Sequence, residues 1–294
     1  MGSLGVRCPT VVTTLHGLGA ASLVLGLLAC GTNVVEPIGA ARAGATAGAT
    51  GAGGSAGAAP SNDLTRDLVA YWKLDEQTPD EVARDSVGGH DAVPIGAPAG
   101  SDQVPVAHFD DPGSRSFDGQ GQYLLIPNSD ELNFAGEITL AAWVRVSALS
   151  DACQYVIGHG YCLEPPGEVV LRIGVPGCGP GLVDHYFAAG SWLNGEHSAI
   201  APVEAADVGA WLHLVGTYEA KAWRLYKNGQ EVAVQPSELG AVPVQSDWAI
   251  GARAPGVPPC TPEPVERLWN GFIDDVRIYR RALSAREVEE LYHR

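Results

Sequence analysis

Aromatic side chains are distributed very unevenly along this sequence of 294 residues. All seven Trp, nine Tyr and five Phe lie beyond residue 60, and the first sixty residues contain none of them. Burial of large apolar side chains is the main favourable contribution to folding, so only the later part of the chain can build a core. Because a β-sandwich often uses more than two hundred residues as one unit, we predict one domain over residues 64–294.

The N-terminal segment has the pattern of an export signal. Arg7 precedes an apolar run, and its uninterrupted part, Gly17 to Cys30, is shorter than the roughly 20 residues of a transmembrane helix. The run ends in Leu-Leu-Ala-Cys, which resembles the bacterial lipobox, where cleavage precedes a cysteine that receives a lipid. We predict a signal peptide over residues 1–29 and lipidation of Cys30. The alternative is an ordinary signal peptide that contains a cysteine.

The position of the anchor follows from the same resemblance. The residues directly after Cys30 are Gly and Thr and not Asp, which by this resemblance points to the outer membrane or the cell surface. Residues 39–60 are nearly all Ala, Gly, Thr and Ser, and each recurring Gly costs a helix about 1 kcal/mol relative to Ala. We therefore predict a flexible tether over residues 30–63.

The charge of the chain narrows its possible partners. The formal net charge is −16, and the sequence contains no cluster of Lys and Arg that could neutralise phosphates. We expect no nucleic-acid partner and contact with the membrane through the lipid anchor only. The expected partner is a glycan or an extracellular protein.

Four cysteines remain in the predicted domain: Cys153, Cys162, Cys178 and Cys260. Four cysteines in an oxidising compartment predict two disulfides, and three connectivities are possible. We prefer Cys153 with Cys162 and Cys178 with Cys260. A zinc site is the competing interpretation, but the spacing contains no C-x-x-C pair.

Short runs of β-branched and aromatic residues between turn residues predict an all-β antiparallel sandwich. Asn228-Gly229 predicts a two-residue hairpin turn, and Ser284 with Glu287 predicts the capping box of one C-terminal helix. The interval 147–210 is rich in Gly, Pro and aromatic residues, so we expect longer loops there and place the functional region in it. The predicted strands are Leu68–Leu74, Gln122–Ile126, Ile138–Val146, Tyr155–Gly158, Val169–Ile173, Asp184–Ala188, Trp211–Tyr218, Ala222–Tyr226, Glu231–Gln235, Trp248–Gly251 and Gly271–Tyr279.

Several segments in order resemble the LamG-like jelly-roll family, which is related to the concanavalin A-like lectins and glucanases. They are AYWKLDE from Ala70, DSVGGHD from Asp85, SFDG from Ser116, ITLAAWV from Ile138, WLHLVGTY from Trp211, LYKNG from Leu225 and GFIDDVRIYRRALS from Gly271. The resemblance implies a two-sheet jelly roll whose first and last strands lie together. It implies no single function, because this fold carries lectins, hydrolases and adhesion modules.

The resemblance also implies a structural Ca²⁺. In the last predicted strand, Asp274 alternates in phase with Phe272, Val276 and Ile278, so its carboxylate would point into an apolar region and need a partner. Calcium takes six to eight oxygen ligands. The competing interpretation is that Asp274 or Asp275 forms an ion pair with Arg277 or Arg280, or caps a turn. The predicted ligands are Asp75, Glu76, Asp85, Asp274 and Asp275.

The sequence contains no motif that identifies a catalytic residue. A glucanase of this fold would carry Glu-x-Asp-x-Glu on a strand, and no Glu here has an Asp two residues later. The G-x-S-x-G turn of a serine hydrolase is also missing from the predicted domain, residues 64–294. We therefore expect a non-catalytic protein.

Binding is assigned to aromatic and polar residues of the interval 147–210. Aromatic faces stack on apolar sugar faces, and amides bond hydroxyls. The main hypothesis is a surface lectin or adhesion module, with a protein-interaction module and an unrecognised hydrolase as the alternatives. The candidate ligand-binding residues are Tyr161, His185, Tyr186, Trp192 and Asn194.

Overall fold

Two antiparallel β-sheets account for nearly all of the regular structure. The computed structural model describes residues 63–106, 111–163, 166–179, 184–254 and 265–294, so the predicted signal peptide and almost all of the tether lie outside it. The strands are β1 Leu68–Trp72, β2 Val93–Ile95, β3 Ala99–Ser101, β4 Ser114–Asp118, β5 Tyr123–Ile126, β6 Ile138–Val146, β7 Gln154–Leu163, β8 Pro166–Gly174, β9 Tyr186–Trp192, β10 Glu196–Pro202, β11 Leu212–Glu219, β12 Ala222–Lys227, β13 Gln230–Pro236, β14 Trp248–Ile250 and β15 Asn270–Tyr279. A 3₁₀ turn, Ala205–Asp207, and a helix, α1 Ala285–Tyr292, complete the elements.

The strand order is that of a jelly roll, which confirms the predicted fold class. One sheet has the order β13-β12-β11-β6-β15-β4-β3, with β1 paired to the free part of β15, and the other has β10-β9-β8-β7-β14-β5-β2. The first and last strands lie together as predicted, since Leu68 pairs with Tyr279 and Trp72 with Val276. No helix in the described ranges is long and apolar enough to cross a membrane.

Side chains that alternate along the strands fill the space between the sheets. Four tryptophans, Trp72, Trp223, Trp248 and Trp269, are fully buried. The two sheets approach each other closely where Gly216 of β11 faces Ala189 of β9, because a Cβ on the glycine would collide with the alanine methyl. Small residues at this crossing therefore let the sheets pack.

The turn and helix signals of the sequence are confirmed. Asn228 and Gly229 have φ values of 52° and 79°, as a hairpin turn with two left-handed residues requires. Ser284 caps α1, accepting a hydrogen bond from the Glu287 amide, and the Glu287 side chain accepts one from the Ser284 amide.

The interval 147–210 does not consist of long loops as expected. It forms β7, β8, β9 and β10, which make up more than half of the seven-stranded sheet. Residues such as Ala188, Ala189 and Gly190 are poor strand formers by propensity. They occupy β9 because β8, β10 and the opposite sheet pack closely against it: a Cβ at Gly190 would collide with Ser198 of β10.

The alternation of inward-facing residues predicted for the last strand is wrong at Phe272. Ile273, Val276 and Ile278 belong to the core, whereas Phe272 lies against Trp211 outside it. The pairing of β15 with β6 shifts between Asp274 and Arg277. Such a bulge adds one residue to one strand and reverses the facing of everything beyond it.

The preferred disulfide pairing is wrong. Cys153 is bonded to Cys178, with their Cα atoms 6.3 Å apart. Cys153 directly precedes β7 and Cys178 follows β8, and since these strands are antiparallel neighbours, the start of one lies beside the end of the other. The backbone of Cys162 lies towards the far end of β7. Cys30, Cys260 and the side chain of Cys162 lie outside the described part of the structure.

Candidate functional site

A groove of about 510 Å³ lies on the seven-stranded sheet. Leu171 and Ile173 of β8 point into the core between the sheets, so Arg172 between them points to the outer face, where the groove opens. The groove is lined by Tyr161, Arg172, Gly177, Cys178, Gly179, Trp192, Glu196, Arg253 and Arg267. It therefore combines two aromatic rings with three guanidinium groups and one carboxylate.

The aromatic wall is formed by Tyr161 of β7 and Trp192 at the end of β9. Their ring centroids lie 5.2 Å apart in an edge-to-face arrangement, and both side chains are partly exposed. The guanidinium of Arg253 lies 5.3 Å from the centroid of the Tyr161 ring. This cation–π contact holds the arginine and the tyrosine together at the rim of the groove.

The floor is a buried ionic network around Arg172. Its Nη2 lies 2.9 Å from Glu196 and donates to the Cys178 carbonyl at 2.7 Å, and its Nη1 donates to the Tyr155 hydroxyl at 3.0 Å. The Tyr155 hydroxyl in turn donates to Glu168 at 2.9 Å. Every member contacts at least one other, so the network fixes the floor as a rigid unit.

Cross-strand register brings this network together. Tyr155 pairs with Arg172, and Trp192 pairs with Glu168 on one side and Glu196 on the other. Directly opposed residues share a face of the sheet. Burial raises the pKa of the Glu168 carboxyl above its ordinary range. Burial alone would lower the pKa of Arg172, but Tyr155 and the two glutamates raise it above its ordinary value.

The rim of the groove carries two further arginines that share one carboxylate oxygen. Arg253 Nη2 forms an ion pair with Oε1 of Glu266, and Arg267 Nε lies 3.2 Å from the same oxygen. Arg267 Nη1 also donates to the Tyr155 hydroxyl at 2.6 Å, which connects the rim to the floor. The backbone amide of Arg253 donates to the Glu266 carbonyl at 3.0 Å, so the two segments are held side by side independently of the side chains.

The structure brings together two of the five predicted ligand-binding residues, Tyr161 and Trp192. His185 lies in a separate groove, where its Nε2 is 3.0 Å from the Ser150 carbonyl. Tyr186 is fully buried, and Asn194 is an exposed turn residue with φ 56°. None of these three lines the groove that contains the aromatic pair.

Sequence reasoning missed the four charged residues of the groove: Arg172, Glu196, Arg253 and Arg267. One of them carries a signal in the sequence. Arg172 is the only charged residue in the run Val169 to Val175, and a charge inside a buried strand needs a partner. The others come from distant segments, and their convergence depends on the strand order.

A second cluster of polar groups lies at the bulge of β15. Asp274 and Asp275 are 1% and 3% exposed. Oδ1 of Asp275 accepts hydrogen bonds from the Tyr71 hydroxyl and from Arg277, the latter at 3.2 Å, so the ion pair that competed with the metal interpretation is present. The Oδ2 atoms of both aspartates are buried and have no donor.

Asp111, which the sequence analysis did not select, completes this cluster. Its side chain contacts that of Asp274, and its own Oδ2 is also buried without a donor. Burial, together with the charges of Asp275 and Asp111, raises the pKa of Asp274 to about 11. Burial and the charge of Asp111 raise the pKa of Asp75 as well. The Asp111–Asp274 contact therefore requires a shared proton or a cation.

The two other predicted calcium ligands are engaged by protein donors. Asp85 accepts backbone hydrogen bonds from Tyr71, Val87, Gly88 and His90, and its Oδ2 lies 3.0 Å from the His90 ring. Glu76 accepts from the Arg84 amide at 2.9 Å, and its other oxygen is 3.8 Å from the Arg115 guanidinium. These residues organise the turns after β1.

Within the described ranges, no three His, Cys, Asp or Glu side chains are arranged as they would be around a bound metal. The chemistry of the donors nevertheless fits a hard cation, since the unpaired atoms are all carboxylate oxygens. The residues that fit are Asp111, Asp274 and Asp275, with Asp75 beside them.

The strand order defines a class, the two-sheet antiparallel jelly rolls. The chain belongs to the concanavalin A-like lectin/glucanases superfamily, because residues 118–289 match its Laminin_G_3 family. No curated protein matches the chain.

Solved structures show the same fold at low sequence identity. Domain 4 of AbnA, an extracellular arabinanase from Geobacillus stearothermophilus solved with arabinotriose, is 19% identical with a TM-score of 0.54, over 77% of this chain and 98% of that one. The binding domain of Paraclostridial Mosquitocidal Protein 1 is 16% identical with a TM-score of 0.53, over 77% and 52%. The receptor binding domain of botulinum neurotoxin C/D mosaic serotype is 13% identical with a TM-score of 0.52, over 79% and 51%. This chain therefore spans about half the length of the two toxin structures.

Proposed function

We propose that this chain is a cell-surface lipoprotein whose domain binds carbohydrate and does not catalyse a reaction. The observation that carries the proposal is the groove in which Tyr161 and Trp192 lie beside charged hydrogen-bonding groups. Partly exposed rings offer apolar faces to a sugar ring, and the rim guanidinium groups of Arg253 and Arg267 bond its hydroxyls. The arabinanase domain with arabinotriose supports the idea that this fold can hold a saccharide.

The test is a glycan array probed with the full-length chain and with Trp192→Ala. We expect the variant to lose at least about tenfold in affinity, since stacking and burial of an indole contribute more than about 1.4 kcal/mol. The matched control is Trp211→Ala, because Trp211 is also partly exposed but lies next to Phe272 on the other sheet. Equal binding by wild type and Trp192→Ala would contradict the proposal.

The absence of catalysis is supported by the contacts of the groove carboxylate Glu196 and of Glu168 in the buried network beneath it. Glu196 is paired with Arg172, and Glu168 accepts the Tyr155 hydroxyl, so both are engaged in structural contacts. A hydrolase needs one carboxylic acid and one carboxylate free to act on the substrate. Incubation with every bound glycan should release no reducing ends. Release that Glu196→Gln abolishes would establish the hydrolase alternative, and capture of proteins with no glycan bound would favour an interaction module.

A structural Ca²⁺ at the bulge of β15 is the second part of the proposal. Buried carboxylate oxygens without donors at Asp111, Asp274 and Asp275 support it, and calcium would supply the positive charge that these oxygens lack. Isothermal titration of chelated protein should give a calcium heat, and the melting temperature should rise. Asp274→Asn should lose that heat, whereas Asp118→Asn, at an exposed strand end, should keep it. Wild-type protein with neither a heat nor a melting shift would remove calcium from the proposal.

The lipid anchor rests on Cys30 and on the apolar run before it. Metabolic labelling with a fatty acid in a bacterial host should label the wild-type chain and fractionate it with membranes. Cys30→Ser should be unlabelled, whereas Cys8→Ser, within the predicted signal, should be labelled normally. Labelling of Cys30→Ser would refute the anchor at this position.

A further inference from the structure

We infer that the groove selects saccharides carrying a carboxylate or a sulfate, and that this anionic group binds between Arg253 and Arg267. The inference rests on the proposed carbohydrate-binding function and specifies its ligand class. It is drawn from the arrangement of charges at the rim of the groove.

The rim of the groove carries two arginines close together, although the net charge of the whole chain is negative. The chain has a net charge of −16, yet among the described residues Arg253 and Arg267 share one exposed carboxylate, that of Glu266, while the buried Glu168 carboxyl also interacts with both arginines. Both guanidinium groups are directed at the same oxygen, Glu266 Oε1. Two guanidinium groups can satisfy more carboxylate oxygens than one side chain supplies, because each presents five N–H donors.

Glu266 shows where a carboxylate fits. Its side chain is 45% exposed, whereas those of Arg253 and Arg267 are 10% and 23% exposed. The arginines are thus held in place and the glutamate lies at the solvent side of the pair. Because the glutamate is the exposed partner, a ligand anion can reach the same guanidinium groups and join or displace its carboxylate.

The neighbouring contacts place a sugar next to that position. Arg253 lies over the Tyr161 ring, and Tyr161 contacts Trp192, so a sugar stacked on the aromatic wall would present a substituent to the Arg253 guanidinium. Arg172 does not serve this role. It is 1% exposed and its Nη groups are used by Glu196, Tyr155 and the Cys178 carbonyl.

The experiment compares three oligosaccharides of equal length by isothermal titration against the full-length chain. The probes are an oligogalacturonate, its carboxyl-reduced galactose counterpart and a sulfated form of that counterpart. We expect the anionic probes to bind at least about tenfold more tightly than the neutral one, with a preference that shrinks as salt is raised from about 0.05 to 0.5 M. The two anionic probes distinguish a carboxylate from a sulfate as the preferred group.

Two variants and a control connect this preference to the rim. Arg253→Gln should bring the ratio of anionic to neutral affinity close to one. Glu266→Gln should raise the ratio several-fold, because it removes the internal competitor and keeps the backbone bridge to Arg253. Arg224→Gln should leave the ratio unchanged, since Arg224 forms a comparable ion pair with Glu231 at 2.7 Å, on β12 of the other sheet.

The outcomes separate this inference from the function on which it rests. Equal binding of neutral and anionic probes, with loss of both in Trp192→Ala, would overturn the anionic preference and leave carbohydrate binding intact. A ratio that falls in Glu266→Gln would also overturn it, because the glutamate would then be a support and not a competitor. Binding of no saccharide in the array or the titrations would overturn both.

Discussion

Two buried histidines differ in how their ring nitrogens are satisfied. His159 stacks on Trp248 and its Nε2 lies 2.8 Å from the Ser246 carbonyl. His213 is fully buried between Trp143 and Tyr292, and neither of its ring nitrogens has a hydrogen-bond partner. A buried polar group without a partner costs about 1–3 kcal/mol. The native structure therefore carries a local cost at His213 that it does not carry at His159.

His213→Phe should stabilise the domain by about 1 kcal/mol or more, because it keeps an aromatic ring and removes the unsatisfied nitrogens. His159→Phe should destabilise it, because the hydrogen bond to Ser246 is lost. Urea denaturation at pH 7 measures both. A lower urea midpoint for His213→Phe than for wild type would contradict the destabilising effect of the unsatisfied His213 nitrogens.

The same two residues predict an acid limit to stability. Burial lowers the pKa of each to about 3. Between about pH 6.5 and 3 the unfolded chain binds protons that the native state excludes, so this contribution to stability is present above pH 6.5 and is lost as the pH falls. The stability of His213→Phe should therefore fall less on acidification than that of wild type. Denaturation midpoints at pH 7.5, 5.5 and 4.5 test this, and an identical pH profile would contradict it.

At the scale of elements, α1 is attached through both its cap and its apolar face. Leu283, Val288 and Leu291 pack on Ala141 and Val215 at the outer face of the eight-stranded sheet. The Arg281 guanidinium donates to both oxygens of Glu287 at 3.0 and 2.8 Å, and both side chains are buried.

The cap and the ion pair should contribute different amounts to the stability of the domain. Ser284→Ala removes one capping bond and should cost about 1 kcal/mol. Glu287→Gln leaves Arg281 buried without its counter-charge and should cost about 3 kcal/mol. Thermal melts of both variants test the order, with Glu289→Gln on the exposed side of α1 as the neutral control. A larger loss for Ser284→Ala would contradict the role of the ion pair.

The turn after β8 connects the disulfide to the groove. Cys178 is bonded to Cys153, and its carbonyl accepts from Arg172 at the floor. Replacing both cysteines with serine should lower stability by about 3 kcal/mol and weaken the proposed glycan binding several-fold, because the turn that supports Arg172 is released. Melting temperatures and titrations of the double variant measure the two effects. Unchanged glycan affinity would show that the turn is positioned without the bond.

At the scale of the whole molecule, one cluster of buried residues extends across both sheets, from Trp72 in β1 to Ile278 in β15. A single shared core predicts one cooperative unfolding transition. Tryptophan fluorescence and far-ultraviolet circular dichroism should therefore give coincident urea curves. Two separated transitions would show that the sheets unfold independently.

The sequence predicted the interior of this fold better than its margins. Ile138–Val146 was located to the residue, because eight of its nine positions are apolar or β-branched. The strands β2, β3, β4 and β10 were not predicted, since they are short or polar and form by pairing with neighbours. In the candidate site, two aromatic residues were predicted and the arginines were not. Arg253 and Arg267 are brought together by the bridge between Arg253 and Glu266 and by the Glu266 side chain. No local sequence pattern encodes this contact.

The position of β15 has a consequence for how the chain is made. This strand lies at the centre of the eight-stranded sheet, between β6 on one side and β1 with β4 on the other, yet it follows all the other described strands in chain order. Until residues 270–279 have emerged, β6 and β4 keep unpaired edges, and such edges are prone to aggregation. The eight-stranded sheet therefore cannot be completed before residues 270–279 are available, so a chain stalled before residue 270 would be a target for chaperones or proteases.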